Sequence, residues 1–204
     1  MVFKVLAFAG SPRRHGNSET LLDWIIESMN ETGRVEIEKV IVSESDIRPC
    51  LGCNACEKLN KCVIRDYYDF LHDRIVDVDC ILISAPVYCM GLPSGLKALI
   101  DRAQVFRSRK YVLHLPVVSP EKEDKRLAAY LGVAGQDWDY VFDACTPSIK
   151  CFLHLVGIKN RDISYMFVRN VDEKGAIDLR EDARDEAYHL GIRLVNELEK
   201  RNRV

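Results

Sequence analysis

The chain predicts an α/β domain organised around a doubly wound, five-stranded parallel sheet, and two observations carry that expectation. Short apolar runs alternate with stretches whose apolar residues recur at helical spacing. Strands that alternate with helices pair in parallel, because each crossover helix returns the chain to the same edge of the sheet. The 204 residues suit one large domain, and an apolar fraction of 48% supplies its core. Residues 1–204 are therefore expected to form a single unit.

Residues 2–9 are apolar except for Lys4, as a strand buried on both faces requires. Over 17–30, Leu21, Leu22, Ile25, Ile26 and Met29 fall on one face of a helix. Val35, Ile37, Val40 and Ile41 mark a second strand, and 65–76 read as a helix beyond a cysteine-bearing loop. The run Cys80-Ile81-Leu82-Ile83-Ser84-Ala85 is a third buried strand, and Leu96, Leu99, Ile100 and Ala103 stripe the helix after it. Residues 127–134 predict a fourth strand, 140–156 a helix, and the alternating Ile163, Tyr165 and Phe167 a fifth strand. From 181 to 201 a charged amphipathic helix carries Ala183, Ala187, Leu190, Leu194 and Leu198. The stretch 107–126, with Pro116, Pro120 and the run Glu121-Lys122-Glu123-Asp124-Lys125, is long for a helix-to-strand connection. A lid, an oligomer contact and a solvated surface loop all remain open for it.

A net charge of −2 gives no field that would draw nucleic acid or an anionic membrane. No apolar run approaches the ~20 residues of a membrane helix, and the opening residues run straight into a strand, so no export leader is expected. Of eight cysteines, four crowd one loop and Cys80 sits in an apolar run. That distribution predicts reduced thiols in the cytoplasm, with Cys80, Cys145 and Cys151 buried, in place of a disulfide scaffold.

Cys50, Cys53, Cys56 and Cys62 read C-x2-C-x2-C-x5-C. Thiolates three apart along a tight loop can reach three corners of an iron–sulfur cube, and a fourth a few residues on can reach the last. Gly52 would allow the turn between the first two. Four thiolates also suit structural zinc, although zinc ribbons usually supply two separated C-x2-C knuckles, whereas these four come in one short run.

The loop after the first strand, Gly10-Ser11-Pro12-Arg13-Arg14-His15-Gly16-Asn17-Ser18, sets hydroxyls, guanidinium groups and free backbone N–H groups at a helix start, which suits a phosphate. It is neither a Walker A loop nor G-x-G-x-x-G. Asn17 or Ser18 acting only as a helix cap remains the competing reading, and His15 is expected to face solvent. The loop after the third strand, from Pro86 to Gly95, could stack a planar heteroaromatic ring against Tyr88 and Met90, or be a rigid turn around a core tyrosine. Cys89 there could touch such a ring or simply pack. Gly135 and Gln136 follow the fourth strand at the same edge.

Together these segments resemble the iron–sulfur flavoproteins, a branch of the flavodoxin-like NADPH-dependent FMN reductases. The likeness covers residues 1 to about 106. It rests on the phosphate-type loop at 10–18, the cysteines at 50–62, and the run from Ala85-Pro86-Val87-Tyr88 through Gly91 and Pro93-Ser94-Gly95 to Asp101-Arg102. It implies a flavodoxin-like strand order 2-1-3-4-5 with FMN and one [4Fe–4S] cluster as cofactors. Ser11, Arg13, Asn17 and Ser18 would hold the FMN phosphate. Pro86, Val87, Tyr88, Cys89, Met90 and Gly91 would wrap the ribityl chain and isoalloxazine, with Gly135 and Gln136 completing the cofactor set. Cys50, Cys53, Cys56 and Cys62, in a loop spanning 48–64, would bind the cluster. The resemblance also implies a ferredoxin or other one-electron donor, and a small-molecule acceptor such as dioxygen, peroxide or a quinone. The cluster would face the FMN of a neighbouring subunit in a homodimer or homotetramer. No side chain stands out as an acid–base catalyst. Two other classes stay open: an NAD(P)H-dependent FMN or quinone reductase with a structural metal loop, and a non-catalytic carrier or sensor.

Overall fold

In the computed structural model, which describes residues 1–203, five parallel strands form one sheet. They are β1 (Phe3–Ala9), β2 (Val35–Ile41), β3 (Cys80–Pro86), β4 (Leu127–Val133) and β5 (Ile163–Val168), in the order β2-β1-β3-β4-β5. This is the expected order. The helices are α1 (Asn17–Glu31), α2 (Cys56–Leu59), α3 (Tyr68–Asp77), α4 (Ser94–Asp101), α5 (Gln104–Arg107), α6 (Thr146–Leu155) and α7 (Glu181–Asn202).

Successive side chains of a strand point to opposite faces, so a sheet covered on both sides builds two cores. Leu6, Phe8, Ile81, Ile83 and Tyr130 face one layer with Leu71 and Ile75 of α3, Leu96 and Leu99 of α4, and Phe152 and Leu153 of α6. Val5, Ala7, Leu82, Ala129 and Leu131 face the other with Leu21, Leu22 and Ile25 of α1. The stripe Ala183, Ala187, Leu190, Leu194 and Leu198 of α7 closes that second layer.

Two expectations are corrected, the start of α6 and the burial of Cys151, while β5 forms where expected. The helix expected over 140–156 begins only at Thr146, with turns before it. Pro147 explains this, because proline fits the first helical turn but would remove a hydrogen bond and clash further in. In β5, Met166 and Val168 are buried while Tyr165 is partly exposed and Phe167 is 40% exposed. β5 is an edge strand covered fully only on the α7 side, and Phe167 stacks on Phe142 at 4.3 Å. Cys145 is buried as expected, but Cys151 is exposed, on the outer face of α6, away from Ile149, Phe152 and Leu153.

The stretch 107–126 continues α5 as a π-helical turn, Ser108–Val112, and ends in a 3-10 turn, Pro120–Lys122. Its last residue, Arg126, is buried and donates from Nε to Val78 O at 2.8 Å and from Nη2 to Ile75 O at 2.5 Å. An arginine distant in sequence therefore satisfies carbonyls at the end of α3, as cations near a helix C-terminus do.

Candidate functional site

The strand order reverses between β1 and β3, and ligands of open α/β sheets bind at that point beyond the carboxyl ends of the strands. Short hydrogen bonds extend the sheet there. Gly10 N donates to Ser84 O at 2.7 Å, Val87 N to Val133 O at 2.9 Å, and Ala134 N to Val168 O at 2.9 Å. The loops after β1, β3 and β4 are thus held side by side. Gly10 leaves no room for a side chain, since a Cβ would lie 2.7 Å from Leu96 Cδ2 and 2.9 Å from Ser84 O.

These loops enclose a cavity of about 70 Å³ lined by Ser11, Arg13, Asn17, Ser18, Pro86, Val87, Tyr88 and Gly135, joined by Gly16, Val133, Val171 and Asp172. Eight of the twelve residues expected at a cofactor thus share one wall. The space equals that of about two waters, which suits the phosphate end of a nucleotide-type ligand. Cys89, Met90, Gly91 and Gln136 do not line it. Cys89 and Gln136 are exposed, and Met90 packs towards Ala134, Val141 and Phe142.

Tyr88 and Gly91 exchange backbone hydrogen bonds at 2.9 and 2.8 Å around Cys89 and Met90, which sit at φ 48° and 61°. Two side-chain-bearing residues in the left-handed region store local strain. Asn17 is more committed than its sequence suggests. Its Nδ2 donates to Val171 O and Glu173 O at 3.0 and 2.8 Å, and its Oδ1 accepts from Gly175 N at 3.0 Å. It clamps the loop after β5 against the phosphate-type loop, leaving its backbone N–H at the start of α1. Ser11 Oγ accepts from Arg13 N at 3.0 Å and sets the turn. His15 is exposed, as expected.

Glu19, which the sequence did not single out, holds this turn from behind. It is buried, accepts from His15 N at 2.6 Å, and pairs with Lys39 at 2.8 Å and Arg14 at 3.3 Å. Burial pushes its carboxyl up, but Lys39, Arg14 and the His15 N–H outweigh burial and hold it at about 2, below the ordinary 4.5. The one legible hint was a Glu in the first helical turn, where capping boxes place it.

The cysteine loop leaves β2 at the same edge, where the sequence would set it beside the nucleotide-type pocket. It then runs along α4 to a second cavity of about 260 Å³. Cys50, Cys53, Cys56 and Cys62 all line it, together with Arg102, Gln104 and Val105 beyond the end of α4. Gly52 has φ 63°, the turn expected between the first two cysteines. Gly52 N donates to Cys50 Sγ at 3.5 Å, and Cys56 Sγ lies 3.1 Å from Ser108 Oγ in the π-helical turn. Among the described residues, no three His, Cys, Asp or Glu side chains gather tightly enough to hold one metal ion.

The loop is closed at its base by a buried ion pair. Arg102 Nη1 donates to Asp66 Oδ2 at 2.6 Å and Arg48 O at 2.9 Å, while Nη2 donates to Asp66 Oδ1 at 3.1 Å and Ile64 O at 3.3 Å. Asp66 also accepts from Arg48 N at 2.9 Å and Tyr68 N at 3.1 Å. Burial raises the Asp66 carboxyl, but the Arg102 guanidinium and these N–H groups hold it below its usual range. Burial also pushes the Tyr68 phenol upward, and the guanidinium lies 4.7 Å over its ring.

Residues 3–135 match the NADPH-dependent FMN reductase family. An iron-sulfur flavoprotein of Methanosarcina thermophila is 34% identical over 110 residues, which is 54% of this chain and 57% of that protein. One from Archaeoglobus fulgidus is 29% identical over 143 residues, 68% of this chain and 64% of its own length. The chain thus spans between half and two thirds of these relatives. Among solved structures, an FMN-dependent NADH-azoreductase of Bacillus anthracis in complex with FMN shares the fold, with a TM-score of 0.68 at 17% identity over 96% of this chain and all of that one. No helix among the described residues is long and apolar enough to cross a membrane. With both halves of the sheet edge in place and two thirds of the chain matched, the protein belongs to the flavodoxin-like NADPH-dependent FMN reductase family.

Proposed function

We propose that the chain is an oxidoreductase that holds FMN between the loops after β1, β3 and β4 and one [4Fe–4S] cluster in the loop at 48–64. One observation carries this reading. Four thiols share the wall of one cavity, and the loops suited to a nucleotide phosphate share another. A tetrahedral zinc ion needs every sulfur about 2.3 Å from one centre, whereas a cube gives each thiolate its own iron. Four thiols spread around one roomy cavity suit the second demand.

When bound, such a pair supplies one-electron exchange at the cluster and one- or two-electron exchange at the flavin. The protein's own residues bind and orient. Ser11, Arg13 and the N–H groups at the start of α1 would hold the phosphate, Tyr88 and the strained turn at Cys89 and Met90 would meet the ring, and the cysteine loop together with Arg102, Gln104 and Val105 would hold the cluster. The segments 48–65 and 107–110 carry seven Lys and Arg residues against the single acid Glu57, in a chain of net charge −2. That local field suits an acidic one-electron donor such as a ferredoxin, with a small acceptor such as dioxygen, peroxide or a quinone. The cysteine cavity lies beyond the C-terminal end of α4 and shares no lining residue with the nucleotide-type cavity. The resemblance to the iron–sulfur flavoproteins favours transfer between neighbouring subunits of a homodimer or homotetramer.

Anaerobic purification followed by an absorption spectrum and assays for iron, sulfide, zinc and FMN tests the reading. Four irons, four sulfides and one FMN per chain are expected; zinc without iron removes the relay. The family match itself favours one competitor, an NAD(P)H-dependent FMN or quinone reductase with a structural metal loop. Flavin reduction by NADPH that survives Cys50→Ala and Cys56→Ala would establish that alternative.

A further inference from the structure

Arg102 and Arg126 are the largest fully buried side chains among the described residues, and Arg102 stands on the wall of the cysteine cavity. A guanidinium has five N–H donors in a rigid fork and cannot shed its charge. Four of the five are spent on Asp66, Arg48 O and Ile64 O. The fifth, on Nε, is buried without any hydrogen-bond partner. Such a donor is costly to leave unmade, and few buried groups in a folded protein are left so. Cys62 lines the same cavity wall. Burial works against the guanidinium's charge, yet Asp66 and Cys62 together hold its proton more firmly than usual.

We infer that Arg102 is a tuning residue for the cluster: its spare Nε–H donates to the Cys62 thiolate, and its charge faces the cavity while Asp66 balances it from behind. This rests on the proposed cluster, and goes beyond the four ligands to a residue that no cysteine pattern reveals. Hydrogen bonds to the sulfurs and local charge are among the levers that set the potential of an iron–sulfur centre. A fixed cation that donates to a ligand sulfur stabilises the added negative charge of the reduced form. Asp66 is not interchangeable with solvent in this arrangement, because it anchors two of the guanidinium nitrogens and so aims the third. Lysine at 102 would keep a positive charge but lose the fork, and with it the fixed N–H.

The test uses the full-length holoprotein, prepared anaerobically with 15N-labelled arginine and reduced by dithionite. Pulsed electron paramagnetic resonance of the reduced cluster should show a coupling to an arginine 15N, absent from unlabelled protein and lost in Arg102→Lys. The same variant should shift the cluster's one-electron reduction equilibrium about tenfold towards the oxidised form, equivalent to about 59 mV, with the FMN potential unmoved as the internal control. A reduced cluster with no arginine coupling in the native protein overturns the inference and leaves the proposed function standing. A native protein without iron and sulfide overturns the proposed function and the inference with it. If Arg102→Lys does not fold, the native-protein coupling alone decides.

Discussion

Cys89 holds φ 48° with its side chain in solvent, so it bears the left-handed penalty without any packing gain. Cys89→Gly should raise the thermal midpoint, by about 1 kcal/mol or less in stability; an unchanged or lowered melting temperature would show that the turn is not strained. Glu19 gives a second expectation. Its folded-state pKa lies below its ordinary value, so its contribution is complete above about pH 4.5 and drains away as pH falls towards 2. Glu19→Gln should therefore cost on the order of 2–3 kcal/mol at pH 7 and little near pH 2, read as the difference between urea titrations of the two proteins. At this scale the sequence was legible where chemistry is local. Ser11, Asn17 and Ser18 announce a helix-start loop, and Cys50 to Cys62 announce a ligand set. It was not legible where partners are remote. Glu19 depends on Lys39, Arg102 on Asp66, and Asn17 spends its amide on a loop more than 150 residues away.

Strands and most helices could be read directly, because buried parallel strands are continuous apolar runs and crossover helices are striped. The one misplaced boundary lies at a proline, and the detail beyond reach lies at an edge. Pro147 delays α6, and half-covered β5 turns its aromatic residues outward. The cysteine loop could be recognised as an element but not placed, since nothing in its spacing says that it runs to the far end of α4. What places it is the Asp66–Arg102 pair, both side chains fully buried. Removing one partner of such a pair leaves an uncompensated charge, typically at a cost of about 3–5 kcal/mol. Asp66→Ala should lower the urea midpoint accordingly, and retention of the native midpoint would mean that the loop is held by other contacts.

Across the whole molecule, two surfaces of different character share one sheet: a nucleotide-type cleft at the strand ends, and a cation-rich cysteine face beyond the C-terminal end of α4. If the cysteine face receives an acidic donor, raising salt from about 50 to 200 mM should slow cluster reduction by that donor, while leaving reduction by dithionite nearly unchanged. Equal slowing of both would remove the electrostatic docking argument. If the route to flavin crosses subunits, sedimentation should find a dimer or tetramer and dilution below its dissociation constant should slow flavin reduction. A monomer with undiminished transfer would refute the intersubunit route. The same closed base of the cysteine loop has another consequence. Asp66, Arg102 and the backbone carbonyls of Arg48 and Ile64 knit the socket from protein atoms alone, unlike small modules whose folding waits for a metal. Stripped of its inorganic core by oxygen, the chain should keep its circular dichroism spectrum and accept iron and sulfide again without being refolded, so that damage at the centre is a repairable vacancy and not the loss of the molecule.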